Sequence, residues 1–365
     1  MVLCKSCVKR IENYRMRLGK LFFCGFLMLN GLFTMAQDIQ FSQYYAAPLY
    51  LNPAFAGTTP LARFGVNYRS QWSSIDNGYE TFSAYIDNHF DEYNTSLGFI
   101  IHADRAGTTA LSTTTLGLQA AYEFQVDYKW VFRPAVEFSF GFRDIDHTQF
   151  IFFDQLDEFG VANPNSQEAF GDDFGVRYPD IALGGMLYSK NIWLGVSQHH
   201  VIEPNLSFFD NEAVLPRKTS VHGGIKIPLQ FGHFKERNPT GNERSLSPSF
   251  NFRSQGEFKQ LDLGTQLVLA PLSGGIWYRG LPIKRNNDQD NTSQFFNNES
   301  LVLMLGIEKN KTKIGYSFDY PVSRISVRSG GAHELSIIHS FKIGDKRKPS
   351  KDKIKPKCPA PGMIF

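Results

Sequence analysis

Polar and apolar residues alternate along most of the chain beyond about residue 62. Residues 311–321 show the pattern best. Ile314, Tyr316, Phe318 and Tyr320 fall between Lys313, Gly315, Ser317 and Asp319. Residues 260–270 set Leu261, Leu263, Leu267 and Leu269 against Asp262, Gly264 and Gln266. Residues 62–72 set Phe64, Val66 and Tyr68 against Arg63, Asn67, Arg69 and Gln71. Successive side chains on a strand point to opposite faces, so each such segment predicts a strand with one apolar face and one small or polar face.

Fourteen segments of this kind occur, near 62–73, 79–90, 94–105, 111–125, 128–142, 178–188, 190–200, 216–230, 246–256, 260–270, 273–281, 298–309, 311–321 and 333–343. Most reach the roughly 9–11 residues that a tilted membrane strand needs. An even strand number is the rule for single-chain bacterial barrels, with the apolar face toward lipid and the polar face toward the lumen. The expected fold class is all-β: a transmembrane antiparallel outer-membrane β-barrel of about 14 strands. A soluble β-sandwich or double sandwich also alternates. It accounts less well for the connections. With the N-terminus periplasmic, one end carries tight turns at 91–93, 126–127, Lys190-Asn191, Pro271-Leu272 and Asn310. The other carries 143–177, 201–215, 282–297 and 322–332. Short periplasmic turns and long outer loops are the barrel asymmetry. The connection 231–245, long on the periplasmic side, departs from it.

Composition agrees. Hydrophobic residues make up 42% of the 365 residues, yet the mean hydropathy is −0.27. A membrane helix needs a run of roughly 18 or more apolar residues, and none follows residue 36. The chain is rich in rings, with 33 Phe and 15 Tyr. Residues 1–36 have the form of a secretory signal peptide: Arg15, Arg17 and Lys20, then apolar Leu21 to Phe33, then Thr34-Met35-Ala36 ahead of Gln37. The competing reading is a buried helix, which Cys24, Gly25, Asn30 and Gly31 suit poorly. Met16 offers a more typical start than Met1. The expected organisation is signal 1–36, an N-terminal segment 37–61, a barrel 62–343 and a basic periplasmic tail 344–365.

Removing the signal changes the charge. The mature chain has 32 basic and 34 acidic residues, so the nominal +3 gives no reason to expect nucleic acid as a partner. Cys4, Cys7 and Cys24 leave with the signal, and Cys358 alone cannot form an intrachain disulfide. Between Asp144 and Val176 lie eight acidic residues and no Lys or Arg, whereas Lys346 to Lys357 is strongly basic. The basic run carries Pro349 and Pro356 and reads as a flexible tail.

Several of these segments look familiar. The stretch Phe41-Ser-Gln-Tyr-Tyr-Ala-Ala-Pro-Leu-Tyr-Leu-Asn-Pro-Ala-Phe-Ala-Gly57 contains Pro48, Asn52, Pro53 and Gly57. Later come Tyr68-Arg-Ser-Gln-Trp72, Asp104-Arg-Ala-Gly107 with Arg105 and Gly107, Leu111-Ser-Thr113 and Phe153-Asp-Gln-Leu-Asp157. Then follow His199-His200-Val-Ile-Glu203-Pro204-Asn205, Leu215-Pro-Arg217-Lys218, Gly274-Gly-Ile-Trp-Tyr-Arg279, Ser329-Gly330-Gly331-Ala-His333-Glu334 and Cys358-Pro359. In order and spacing these resemble PorP/SprF proteins over essentially the whole mature chain. The family's tail ends soon after such a Cys-Pro pair with a basic residue and Phe, whereas here Ala360 to Ile364 intervene. The resemblance implies an outer-membrane barrel of the type IX secretion system of the Bacteroidetes, exported through the Sec pathway. It implies other secretion components as partners, and a role in gliding or in delivery and surface attachment of a secreted protein, such as an adhesin with a type B C-terminal domain.

Candidate chemistry is sparse. His199 and His200 point to opposite faces of a strand, so they suit a packed or hydrogen-bonded strand end better than a metal site of three or four ligands. Asn286-Asn-Asp-Gln-Asp290 has alternating oxygen ligands but lacks the turn glycine and later Glu of a calcium loop. No G-x-S-x-G motif occurs, and Gly330-Gly331 fits a tight turn near Ser329 and His333-Glu334. No cofactor and no enzymatic activity are expected. The aromatic segment 37–61 is either a cover over the periplasmic end or a plug inside the lumen. Loop 143–177 mixes its acids with Phe150, Phe152, Phe153, Phe159, Phe170 and Phe174, and Asp154 and Asp157 lie among them. It is a partner-binding surface, a lid over the mouth, or both. A secretion-linked docking barrel, an uptake channel and a surface enzyme are the three functions to separate.

Overall fold

The computed structural model describes residues 38–74, 78–107, 111–146, 150–157, 160–161, 175–208, 212–229, 244–281, 297–322, 330–343 and 356–360. The signal at 1–36, Phe159, the Asn286–Asp290 loop, Ser329, most of connection 231–245 and most of the basic tail lie outside the described residues.

Among the described residues fourteen strands close into one antiparallel barrel. They are β1 (Ala62–Gln71), β2 (Tyr79–Phe90), β3 (Thr95–Ala106), β4 (Leu111–Tyr122), β5 (Val131–Ile145), β6 (Gly175–Tyr188), β7 (Ile192–His199), β8 (Lys218–Ile225), β9 (Arg244–Gln255), β10 (Phe258–Leu269), β11 (Leu272–Leu281), β12 (Asn297–Lys309), β13 (Thr312–Pro321) and β14 (Ala332–Phe341). Each pairs with the next in sequence, and β1 pairs with β14 from Ala62↔Phe341 to Gln71↔Ala332, which closes the ring. The strands fall on the fourteen alternating segments read from the sequence.

Burial inverts that of a soluble protein. Arg63, Asn67, Ser83, Gln260 and Ser317 are fully shielded, while Phe64, Leu118 and Leu305 are 43%, 64% and 70% exposed. Their strand neighbours alternate with them, so the outer surface is a band of Leu, Ile and Phe and the lumen is polar. A sandwich would bury the apolar set. Only a hydrocarbon surround makes this arrangement favourable, because each Leu or Phe left in water forfeits roughly 1.5–3 kcal/mol of burial. Among the described residues no helix is long and apolar enough to cross a membrane, and the strands do the crossing.

The two ends differ. Where β1 begins and β14 ends, the turns after β2, β6, β10 and β12 are short, with Asn94, Asn310 and Lys311 at positive φ. Exposed Tyr93, Tyr122, Phe124 and Tyr128 cluster at this turn end, as rings do at a membrane interface. At the opposite, loop end, the connections after β5, β7, β11 and β13 are long, though β9 and β10 join through a tight turn at Gly256 (φ 54). The barrel rule makes the loop end external. Cysteines placed singly at Phe153 and Asn287 should therefore react with an impermeant maleimide on intact cells, and one at Lys351 should not. Labelling of Lys351→Cys from outside would reverse the orientation.

Candidate functional site

The lumen is occupied by the chain's own N-terminal segment. Gln43, Leu49, Asn52, Ala54 and Ala56 are completely buried, and Phe41, Phe55 and Thr59 nearly so. A short helix α1 (Pro48–Leu51) has Pro48 at its first turn, where a missing N–H costs nothing. A 3-10 turn (Pro53–Phe55) follows. Asn52 joins the two. Its Oδ1 accepts from the Ala54 N–H at 2.8 Å, and its Nδ2 donates to the backbone carbonyls of Gly185 and Val196 at 3.2 and 3.1 Å. The side chain can reach bare backbone because Gly184 and Gly195 carry no Cβ there; a Cβ on Gly184 would collide with Asn52 Oδ1. Further bonds tie the segment to strands around the ring. Gln119 donates to the Leu49 carbonyl at 2.9 Å, Ser197 to Leu51 at 2.7 Å and Tyr85 to Ala46 at 3.2 Å. Tyr44 shares a 2.6 Å bond with Ser249 and accepts from the Trp277 indole at 3.3 Å. Of the two readings of this segment, a cover and a plug, the geometry is that of a plug.

A chain of buried charges fixes the start of the plug. Arg253 and Arg279 both bond Asp262, at 2.9 and 3.1 Å. Arg279 also reaches Asp319 at 3.0 Å, as does Arg69 at 2.9 Å, and Arg69 continues to Glu334 at 3.4 Å. Three cations thus alternate with three carboxylates across β9, β10, β11, β13, β14 and β1. Ser42 lies at the centre. Its hydroxyl donates to Asp319 at 2.5 Å and its N–H to Glu334 at 2.7 Å, while the Gln43 N–H bonds the same Glu334 at 3.1 Å. The network spans the seam where the first and last strands meet, so it locks both the ring and the plug.

A second cluster fixes the other end of the plug. Arg63 pairs with Asp87 at 2.8 Å, and Asp87 also accepts the Gly57 N–H at 2.6 Å. Gly57 has φ +61 and lies against Ser96 and the Asn88 carbonyl, so no side chain fits there. Arg133 is fully buried. It bonds the carbonyls of Ala54 and Ala56, the Ser96 hydroxyl and, at 2.7 Å, Glu123.

Most of the run Lys346 to Lys357, expected to be flexible, lies outside the described residues, which resume from Pro356 to Ala360. Cys358, Pro359 and Ala360 are buried, and Cys358 and Ala360 belong to one apolar cluster with Phe55, Val131, Met186, Tyr188 and Trp193 at the turn end. Small apolar side chains fill that gap beside the plug, while Lys357 stays exposed. Burial pushes the Cys358 thiol up to about 11, so it is protonated and acts as a small apolar anchor rather than a nucleophile.

The motif positions divide between the two regions. Pro48, Asn52, Pro53, Gly57 and Glu334 belong to the plug and its partners. His199 joins them, stacking on Tyr50 and lying 3.4 Å from the Leu51 carbonyl. The rest sit toward the loop end. His200 leaves β7 with φ 58 and bonds Asp180 at 2.7 Å. Glu203 and Arg217 pair at 3.3 Å across half-exposed positions, and the Pro204 carbonyl accepts from Leu215 at 2.9 Å. Arg105 is exposed near Gly107 (φ 60), and Gly330 and Gly331 turn the chain at φ 81 and 69. His333 faces outward and meets the Tyr316 hydroxyl at 2.7 Å. In the outer loop Phe152 is half-buried, Phe153 is 92% exposed and Asp154 is exposed, beside exposed Ile151 and Leu156. Asp157 pairs through its backbone with Gly160.

The charge network and Arg133 were not singled out in the sequence. Their signal was there, as Arg and Asp on the polar faces of strands, but partners 250 residues apart cannot be matched from periodicity.

Comparisons with known proteins name the family. Among solved structures the chain resembles a crystal structure of BamA from Haemophilus ducreyi lacking POTRA domains 1–3 (TM-score 0.39, 10% identity, 77% of this chain and 70% of that one). It resembles the Ralstonia pickettii toluene transporter TbuX (TM-score 0.43, 12% identity, 86% and 96%) and a Pseudomonas aeruginosa FadL homologue (TM-score 0.39, 11% identity, 79% and 93%). Likenesses this loose carry no argument. No curated protein matches. The family model for the type IX secretion system membrane protein PorP/SprF matches residues 33–339. That match takes in the plug, the charge network and nearly the whole ring of strands, and the chain therefore belongs to the PorP/SprF family, an outer-membrane barrel of type IX secretion.

Proposed function

We propose that this barrel is a plugged docking protein, exported through the Sec pathway, that supports secretion or surface attachment of a secreted partner, such as an adhesin with a type B C-terminal domain. One observation carries the reading: residues 39–59 fill the lumen and bond the wall on most sides. A passive uptake channel needs an open polar path. A surface enzyme needs an accessible nucleophile or base. Here the buried carboxylates Asp262, Asp319 and Glu123 are each held by an arginine, and Cys358 is shielded. Work therefore falls to the surfaces at the two ends, and the reading is non-enzymatic. Family membership implies other secretion components as partners.

The loop end offers apolar anchors at Ile151, Phe153 and Leu156 in an acidic surround. Charge there steers a basic partner and fades with salt, while buried rings supply affinity. Phe153→Ser is expected to cut surface retention of the partner by roughly 1–4 kcal/mol of binding, with Phe152→Ser and Phe159→Ser as companions. Normal heat-modifiable gel migration must accompany the loss. If all three variants assemble and display the partner at wild-type levels, this loop is not the docking surface.

A further inference from the structure

Arg253 begins the chain of alternating charges, and beside it the lumen holds a small cavity. The plug contributes Phe41, Tyr44 and Tyr50 to its lining, and strands β8 and β9 contribute Lys218, Ser220, Asn251 and Arg253. Register brings these four wall residues together. Ser220 pairs with Arg253, Asn251 lies two residues before Arg253 on the same face, and Lys218 lies two residues before Ser220. The cavity is about 20 Å³, room for one or two bodies the size of a water molecule.

Its walls suit negative charge. Neither amide atom of Asn251 has a hydrogen-bond partner, although the residue is 1% exposed. Arg253 spends Nη2 on Asp262 at 2.9 Å, and its buried Nε–H has no partner. Lys218 lies over the Tyr50 ring, with Nζ 4.3 Å from the centroid, and donates to the Tyr50 hydroxyl at 3.0 Å. Two cations thus flank the space, and among the described residues no carboxylate lines it. A water alone would accept from the open donors but leave two like charges close together where little solvent screens them. An anion meets both needs. It accepts from Asn251 Nδ2 and Arg253 Nε, it sits between the cations, and one water beside it can donate to Asn251 Oδ1. It also continues the order of the network, in which carboxylates and cations already alternate from Glu334 to Arg253. We propose that this cavity binds a small monovalent anion of chloride size, which bridges Lys218 and Arg253 and pins the plug to β8 and β9.

Bromide is the probe, because it has the charge and nearly the size of chloride and scatters X-rays anomalously. Crystals of the full-length protein soaked in sodium bromide should show an anomalous peak in the cavity, within hydrogen-bond reach of Asn251 Nδ2 and Arg253 Nε. Asn251→Leu keeps the volume and removes the donor, so it should abolish the peak while the barrel still shifts normally on heating. Lys218→Met is the second variant, in case Asn251→Leu displaces the plug. In solution, protease should cleave residues 39–59 about tenfold more slowly at a chloride concentration ten times the dissociation constant than in gluconate of equal ionic strength. That difference should vanish in the variants. A wild-type cavity without bromide, a peak that both variants retain, or plug cleavage indifferent to chloride overturns the proposal.

Discussion

Asp319→Ala is expected to be among the most damaging single changes in the barrel. Asp319 touches both Arg69 and Arg279, and it accepts the Ser42 hydroxyl. Without it, two guanidinium groups face each other in a water-poor lumen, with Glu334 and Asp262 left to hold one each. Removing one partner of a buried charge set typically costs about 3–5 kcal/mol, because the cost is that of the charge left behind. The change should appear as an earlier midpoint in denaturant titration followed by heat-modifiable gel migration. Asp319→Leu with Arg69→Met should recover part of the loss, since an apolar replacement strands less charge. A midpoint within about 1 kcal/mol of wild type would mean that the network does not hold the seam.

Arg133→Met should act on the plug rather than on the ring. The side chain is fully buried and spends its donors on Ala54, Ala56, Ser96 and Glu123. Truncation removes the guanidinium facing buried Glu123 and frees two plug carbonyls, again on the order of 3–5 kcal/mol for the broken buried pair. The strands keep their ladder, so the barrel should still form. Residues 39–59 should then become cleavable by a protease added from the periplasmic side, while β1 onward stays resistant. Equal resistance of the plug in both proteins would show that Arg133 is not its anchor.

Much of this architecture was legible in the sequence, and the parts that were not share a cause. Alternation at Ile314 to Tyr320 and at Leu261 to Leu269 located strands because lipid on one side and a polar lumen on the other impose a period of two. Register followed only loosely, since it depends on pairs such as Arg69↔Glu334 that are distant in sequence. Whether Tyr44, Leu49 and Phe55 cover or fill the barrel could not be told from their apolar character. What decided it was Asn52 meeting the bare backbone at Gly184 and Gly195, and a glycine in a strand does not announce what lies against it. Lys and Pro content spoke for solvent over Lys346 to Lys357, and it said nothing of Cys358, Pro359 and Ala360 just past that run, which are buried. His199 and His200 kept the separate environments expected of adjacent strand-end residues. The arginines of the lumen were visible as residues but not as a network.

The central claim is that the resting barrel is closed by residues 39–59. Single-channel recording of the purified full-length protein in planar bilayers tests it most directly, with a variant lacking 39–59 as the comparison. The intact protein should show little conductance, and the deletion should raise it severalfold to steady open events. A large, steady conductance from the intact protein would contradict the plug and, with it, the docking role built on it.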